Sequence, residues 1–359
     1  MLRTHPLLFK SLALALLVAA LVFFLPVQVV VPQSTYTGAG FPYQAFSDLP
    51  ATRFEFENRA IDVAFAPGHM RLSQTEILVW IESSLESVVA YYGRLPTPTA
   101  RLLIVPVAGS RINGTTFGYG GAASRILYGR ENTARSLEQD WVLVHELVHH
   151  GFPFMDGRDW AHEGVATYVE PIARAQMGLI PVDEVWRQLV VGLPQGQPRN
   201  GDKGLDGTPT WGRTYWGGAM YFLIADVEIR RRTGNRRGLQ HVLRRTVEEG
   251  GNITAGWTVE RFNAVAARAT GTSVLAELYA CMKDAPRVVK LPALWRDLGV
   301  MRAARRIYYD DKAPLANIRR AITEPLDTTV ERSPDAVQRQ DVYPPSACAN
   351  IPWIDQQVA

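Results

Sequence analysis

Cysteine is nearly absent. Cys281 and Cys348 are the only two in 359 residues, which excludes a disulfide-dense scaffold and, without ligand spacing, a cysteine-built metal site. One bridge between them stays open if the chain folds in an oxidising compartment. An excess of either charge is missing too. The 38 Lys and Arg face 35 Asp and Glu, a formal +3, and because Arg3 and Lys10 precede residue 32 the remainder carries only +1. So neutral a body argues against a general nucleic-acid binder, and no nucleic-acid partner is expected. There is no internal repeat. At 47% hydrophobic and 20% charged residues, the composition excludes a disordered or collagen-like chain and supplies ample core for one large domain or two modest ones.

Long apolar runs are confined to one place. Ser11 to Leu25 reads SLALALLVAALVFFL and continues to Val31, with no charge between Lys10 and Asp48. About twenty mostly apolar positions suffice to cross a bilayer with ~30 Å of hydrocarbon. Two readings of residues 1–31 stand, a cleaved signal peptide or an uncleaved anchor. The bulky ending PVQVVVP, with no small-x-small site, favours the anchor. In either case the positive charge precedes the span, so the N-terminus is expected to stay cytoplasmic and the rest to be exported, as a periplasmic or extracellular domain tethered to the membrane, or secreted if the segment is cleaved. A buried N-terminal helix is disfavoured because such a helix is rarely apolar on every face.

Residues 32–50, rich in Pro, Gly, Ser and Thr, read as a linker, and residues 51–332 as the folded domain. Alternation from Phe54 to Phe65 predicts a strand, and RLLIVPV at 101–107 another whose Pro106 suits an edge or an end. Ser73-Gln74-Thr75-Glu76 is a capping-box pattern opening an amphipathic helix that Gly93 and Pro96 stop. Gly114 to Gly129 is glycine-rich with short β-like stretches. From Ser136 the pattern is mostly helical, with breaks at 194–212 and 250–257, and the tail 333–359 is polar and Pro-containing. The sheet-forming part is therefore expected at about 51–133 and the helical part at about 134–332.

The chemistry concentrates between residues 145 and 163. His145-Glu146-Leu147-Val148-His149 is an HExxH string, on a helix expected to begin at Ser136 with Gln139 completing a second capping box. Histidines four apart share a helix face, so both imidazoles can reach one Zn²⁺, while Glu146 flanks the metal and can take a proton from water. A catalytic zinc needs a third protein ligand and an open position. Eleven residues past His149 begins Trp160-Ala161-His162-Glu163-Gly164-Val165-Ala166-Thr167-Tyr168, with thirteen residues between His149 and Glu163.

Here the sequence resembles the gluzincin metallopeptidases, whose second signature reads W-x-x-E-G-x-A-x-Y. The resemblance implies Glu163 as third ligand, with His162 a rival. It runs from about Thr75 to Thr323 and is specific in the two zinc signatures. A metzincin is excluded, because Phe152 and Met155 stand where its Gly and third His belong. Tyr215, in Arg213-Thr214-Tyr215-Trp216-Gly217-Gly218-Ala219, matches the Y-x-x-G-a helix of glycyl aminopeptidase-like members, and the resemblance implies a tyrosine that hydrogen-bonds the tetrahedral intermediate; an aromatic filling the core beside Trp211 and Trp216 is the bland alternative. The short gap before Glu163 is similar to the peptidase MA-like branch. The implied fold is α+β, a thermolysin-like zincin domain with a mixed sheet packed on a helical subdomain and zinc in the cleft between them, preceded by the apolar N-terminal helix.

The implied function is zinc-dependent hydrolysis of a peptide or protein substrate. The alternative is a catalytically inactive, membrane-anchored interaction domain, which would usually show a decayed His or Glu. An intramembrane protease is rejected, because Arg135, Glu138, Asp140, Asp156, Arg158 and Asp159 crowd the motif. Aminopeptidase-type members carry a Glu on the glycine-rich edge strand, and the corresponding stretch here, Gly118 to Ser124, has no acid before Glu131. That favours an endopeptidase, or a hydrolase for blocked termini; an acid elsewhere, Glu131 or Glu170 for example, is the candidate to take over the missing role. Arg230–Arg232 with Arg236 and Arg237 reads as a solvated helix C-terminus or, more sharply, a membrane-surface or acidic-substrate contact. His150 is open between a support to the metal site and an ordinary core or exposed histidine.

Overall fold

The computed structural model describes residues 34–326, 348 and 351–355. Residues 1–31, read as an anchor or signal, lie outside the described residues, among which no helix is long and apolar enough to cross a membrane.

Five strands form one mixed sheet: β1 (Ala51–Phe56), β2 (Arg59–Phe65), β3 (Thr99–Val107), β4 (Ile112–Phe117) and β5 (Ala123–Gly129), in the order β1-β2-β3-β5-β4. The three inner strands run parallel, and β1 and β4 are antiparallel to their neighbours. The alternation from Phe54 to Phe65 is therefore a hairpin and not one strand. Glu57 and Asn58, at φ 48° and 60°, make the two-residue turn whose twist suits a hairpin. β3 is buried on both faces, which explains its unbroken apolar run, and Pro106 is the penultimate residue of this interior strand.

Period-two alternation divides the sheet between two cores. Ile61, Val63, Leu102, Ile104, Ile126 and Tyr128 face the helices, whereas Ala64, Ala66, Leu103, Val105 and Ala123 face the other side. That second side is covered by the stretch read as a linker. Tyr36, Phe41 and Ala45 are buried there, and Arg125 Nη1 donates to the carbonyls of Gly38 at 2.6 Å and Gly40 at 3.1 Å. In its described part the stretch is a strap on the sheet.

Against the first face packs α1 (Gln74–Tyr92), opened by the expected box: Ser73 N donates to Glu76 Oε2 at 2.8 Å, and Gly93 ends the helix at φ 78°. The second expected box differs. Thr133 and Ser136 cap a short helix, Ala134–Glu138, the chain breaks at Gln139–Trp141, and α2 (Val142–His150) starts afresh with Asp140 Oδ2 accepting from Leu143 N at 3.1 Å. Aspartate at a helix start competes well with continuation of the helix.

The helical part continues through α3 (Asp159–Gln176), α4 (Val182–Gly192), a π-helical turn (Gly212–Gly217) leading into α5 (Gly218–Arg232), α6 (Leu239–Glu248), α7 (Val259–Thr270), α8 (Val274–Met282), α9 (Leu291–Leu298) and α10 (Ala316–Thr323). A small hairpin, β6 (Val300–Ala303) and β7 (Arg306–Tyr309), interrupts the mostly helical part outside the two expected breaks. The arginines at the end of α5 are consumed internally, Arg230 by Asp226 at 2.9 Å, Arg231 by Glu228 at 2.7 Å and Arg232 by Glu277 at 2.7 Å. This accounts for three of the five arginines without a membrane surface, and Arg236 donates to the Thr233 carbonyl at 3.0 Å.

The tail is held where it is described. Cys281 and Cys348 form a disulfide with Cα atoms 5.4 Å apart, and the buried Trp353 donates its indole N–H to Asp297 at 2.9 Å. The bridge closes a loop of 67 residues, so Cys281→Ser is expected to lower unfolding stability by about 2–4 kcal/mol. Denaturant melts of the variant and of the oxidised parent measure this, and coincident midpoints would contradict it.

Candidate active site

α2 is buried along its whole length, so its histidines are fixed by packing before any ligand is considered. His145 and His149 present their rings to one side with centroids 4.9 Å apart. α3 crosses beneath them and brings Glu163, whose Oε2 lies 3.2 Å from His145 Nε2 and 3.8 Å from His149 Nε2. Ligand atoms of these three residues all lie within 4.8 Å of one another. Bonds of ~2.0–2.1 Å in a tetrahedron place donors about 3.3 Å apart, so the trio fits a Zn²⁺ with one position left open.

The electrostatics agree with that use. Burial holds His149 down to about 3, keeping it neutral as a ligand must be. Burial opposes charge on His145 as well, but the Glu163 bond and the carboxylates of Glu146, Glu163 and Glu170 outweigh it and raise its pKa. For Glu163, burial works upward, yet His145, His149 and Tyr215 pull its pKa below the usual range. Glu146 is pushed up to about 7 by burial, against the charge of His145 and a hydrogen bond from Thr116. A carboxyl poised there is suited to exchanging a proton near neutrality.

The site opens into a cleft of about 530 Å³ between the sheet edge and the helices. One wall is β4, from Ile112 to Thr116, and the opposite side is formed by Phe154, Asp159 and Tyr215, with Ile253 from the second helical break. The strand beside the site is thus β4, whereas the glycine-guided reading placed it at Gly118 to Ser124. Gly118–Gly121 instead turns the chain, with Gly121 at φ 103° and Tyr119 bonding the strap at Phe41 N over 2.7 Å. β4 carries no acid either. Glu131 is exposed and Glu170 is locked to Arg174 at 2.8 Å, and neither lines the cleft, where the acids are Glu146, Asp159 and Glu163.

The signature around Glu163 divides by role. Trp160 donates its indole N–H to Asp206 at 2.8 Å, Tyr168 donates to Asp226 at 2.8 Å, and Ala166 is buried. Gly164 meets Gly218 so closely that a Cβ on it would lie 2.4 Å from the Gly218 Cα. Of these residues Glu163 faces the cleft and the others seat its helix. His162 lines the cleft, but its Nε2 accepts from Met155 N at 3.1 Å and it stands outside the ligand trio. Tyr215 sits on the π-helical turn with its ring 6.4 Å from that of His145, and burial together with the nearby Glu163 carboxylate pushes its hydroxyl up to about 12. The turn is pinned by buried Arg213, which donates to the Gly196 carbonyl at 2.6 Å and pairs with Asp202 at 2.8 Å.

No family model and no curated protein matches the sequence. Solved structures do match in fold. An aminopeptidase N family protein from Idiomarina loihiensis superposes with a TM-score of 0.55 at 15% identity, over 71% of this chain and 50% of that one. An M1 zinc metallopeptidase from Deinococcus radiodurans is more remote, with a TM-score of 0.42 at 13% identity over 65% of this chain and 50% of that one, too remote to add to the comparison. The chain spans about half the length of these proteins. The α+β architecture, a mixed sheet with many helices, is thus similar in fold to that aminopeptidase N family protein.

Proposed function

We propose that this chain is a zinc-dependent peptide-bond hydrolase acting outside the cytoplasm. The observation that carries the reading is the convergence of His145, His149 and Glu163 with Glu146 in one open cleft. Zinc, when bound, supplies a Lewis acid that polarises a carbonyl and makes water acidic near neutral pH. Glu146 takes a proton from water and returns it to the departing amine, the general acid–base role its burial suits. Tyr215, which lines the cleft beside His145, would donate its hydroxyl to the oxygen on which negative charge develops. The Cys281–Cys348 bridge supports an oxidising compartment, and residues 1–31 would supply the membrane tether or export signal.

Removing one ligand tests the metal. The parent is expected to hold about one Zn²⁺ per chain and His149→Ala to lose it at matched total zinc. Metal analysis showing undiminished zinc in the variant would reject the reading.

A second experiment asks which end of a peptide the cleft reads. Burying an unpaired substrate ammonium beside the metal costs several kcal/mol. With Glu146 and Glu163 occupied in the chemistry, nothing on β4 meets such a charge, and an extended chain can run past on both sides. One peptide with free and acetylated N-termini should therefore be cleaved at similar rates, as by an endopeptidase. A strong preference for the free form would overturn this and give the ammonium to Asp159, the acid left in the cleft lining.

A further inference from the structure

Behind Glu146 lies a chain of two hydroxyls, one half-buried and one fully buried. Thr116 on β4 and Ser124 on β5 are direct cross-strand partners, so their side chains stand on the same face of the sheet. Thr116 Oγ1 lies 2.7 Å from Glu146 Oε2, 2.9 Å from the Glu146 carbonyl oxygen and 2.9 Å from Ser124 Oγ. Ser124 Oγ in turn lies 2.8 Å from His150 Nε2. Ser124 and His150 are buried, at 0% and 2% exposure. Gly114 completes the seat, because a Cβ there would fall 2.2 Å from Glu146 Cγ, and only a residue without a side chain lets the carboxylate lie along the strand.

Resting on the peptidase reading, we propose that Thr116 is the positioning residue of the Glu146 carboxylate, held in its own orientation by Ser124 and His150. Each hydroxyl has a single proton, which fixes the order of donation. An ionised Glu146 needs the Thr116 O–H. Thr116 then accepts from the Ser124 O–H, and Ser124 accepts from an N–H on His150 Nε2. The chain converges on one carboxylate oxygen, leaves the other to face water, and removes the rotational freedom that a buried glutamate would otherwise spend in unproductive rotamers. It also explains the histidine that follows the HExxH string: His150 anchors the far end, outside the ligand trio.

The test uses the full chain loaded with zinc, in three forms: parent, Thr116→Val and Thr116→Ser. Valine keeps the shape and removes the donor, whereas serine restores it. Thr116→Val is expected to keep its zinc and KM while kcat falls about 10- to 100-fold, and Thr116→Ser to return kcat to within about threefold of the parent. Parent-level kcat in the valine variant, or a serine variant as slow as valine, overturns the proposal. A readout independent of turnover is the Glu146 carboxyl ¹³C resonance, assigned with Glu146→Gln. It should move in Thr116→Val and stay in Thr116→Ser, and no movement overturns the proposal whether or not peptides are cleaved. If the resonance moves while the parent cleaves nothing, the positioning role stands and the peptidase reading falls. The ¹⁵N shifts of His150 should show the Nε2–H tautomer; the Nδ1–H form would overturn the order of donation.

Discussion

Glu146→Gln is expected to cut peptide hydrolysis by about 10²- to 10⁴-fold while the protein keeps its full complement of zinc. The substitution conserves shape in a seat with no spare room, between the sheet edge at Gly114 and the hydroxyl of Thr116. A glutamine oxygen can still accept from Thr116, so the local packing and hydrogen bond persist. His145, His149 and Glu163 are untouched, so the ligand trio remains. What disappears is the ability to take a proton from water and give it back. Rates and zinc content measured on the same preparation decide the matter. A variant that digests peptides at the parent rate would remove Glu146 from the chemistry, and a zinc-bound parent that digests nothing would favour the inactive interaction domain.

The parts of the site that were legible in the sequence are those fixed by local geometry. His145 and His149 share a face because helices repeat every 3.6 residues, whereas Glu163, on another helix, was legible only through the resemblance of its string. Fold class followed from the same strings and from the switch of period near residue 134. The supporting residues were not legible, for a physical reason. Thr116 and Ser124 meet through strand register, and each reaches Glu146 or His150 across 30 or 26 residues, which no short pattern encodes. Gly114 looked like one glycine among many until the carboxylate was seen lying on it. The π-helical turn under Tyr215 and the strap at residues 36–49 likewise depend on tertiary partners, Asp202 for Arg213 and the sheet face for Phe41. Composition can mark a stretch as Gly- and Pro-rich, but not whether an arginine elsewhere, here Arg125, will gather its carbonyls.

The contact between α3 and α5 carries the second large expectation. Gly164 and Gly218 let two backbones approach without side chains between them, and a Cβ on Gly164 would lie 2.4 Å from both the Cα and carbonyl carbon of Gly218. Those are backbone atoms of a buried helix, so the clash cannot be relieved by turning a side chain. Alanine would gain about 1 kcal/mol of helix propensity at this position, yet the helices must separate, and overpacking of this kind costs about 3 kcal/mol or more. The net expectation for Gly164→Ala is a loss of about 2–3 kcal/mol, read as a lower denaturant midpoint. The consequence for function is sharper, since Glu163 is the adjacent residue on α3 and Tyr215 lies three residues before Gly218. Separating the helices would move Glu163 away from His145 and His149 and shift Tyr215 from its place beside His145. Zinc affinity should therefore fall together with stability. A variant with the parent's midpoint and zinc affinity would show that the crossing can yield, and that the glycine is not what seats Glu163.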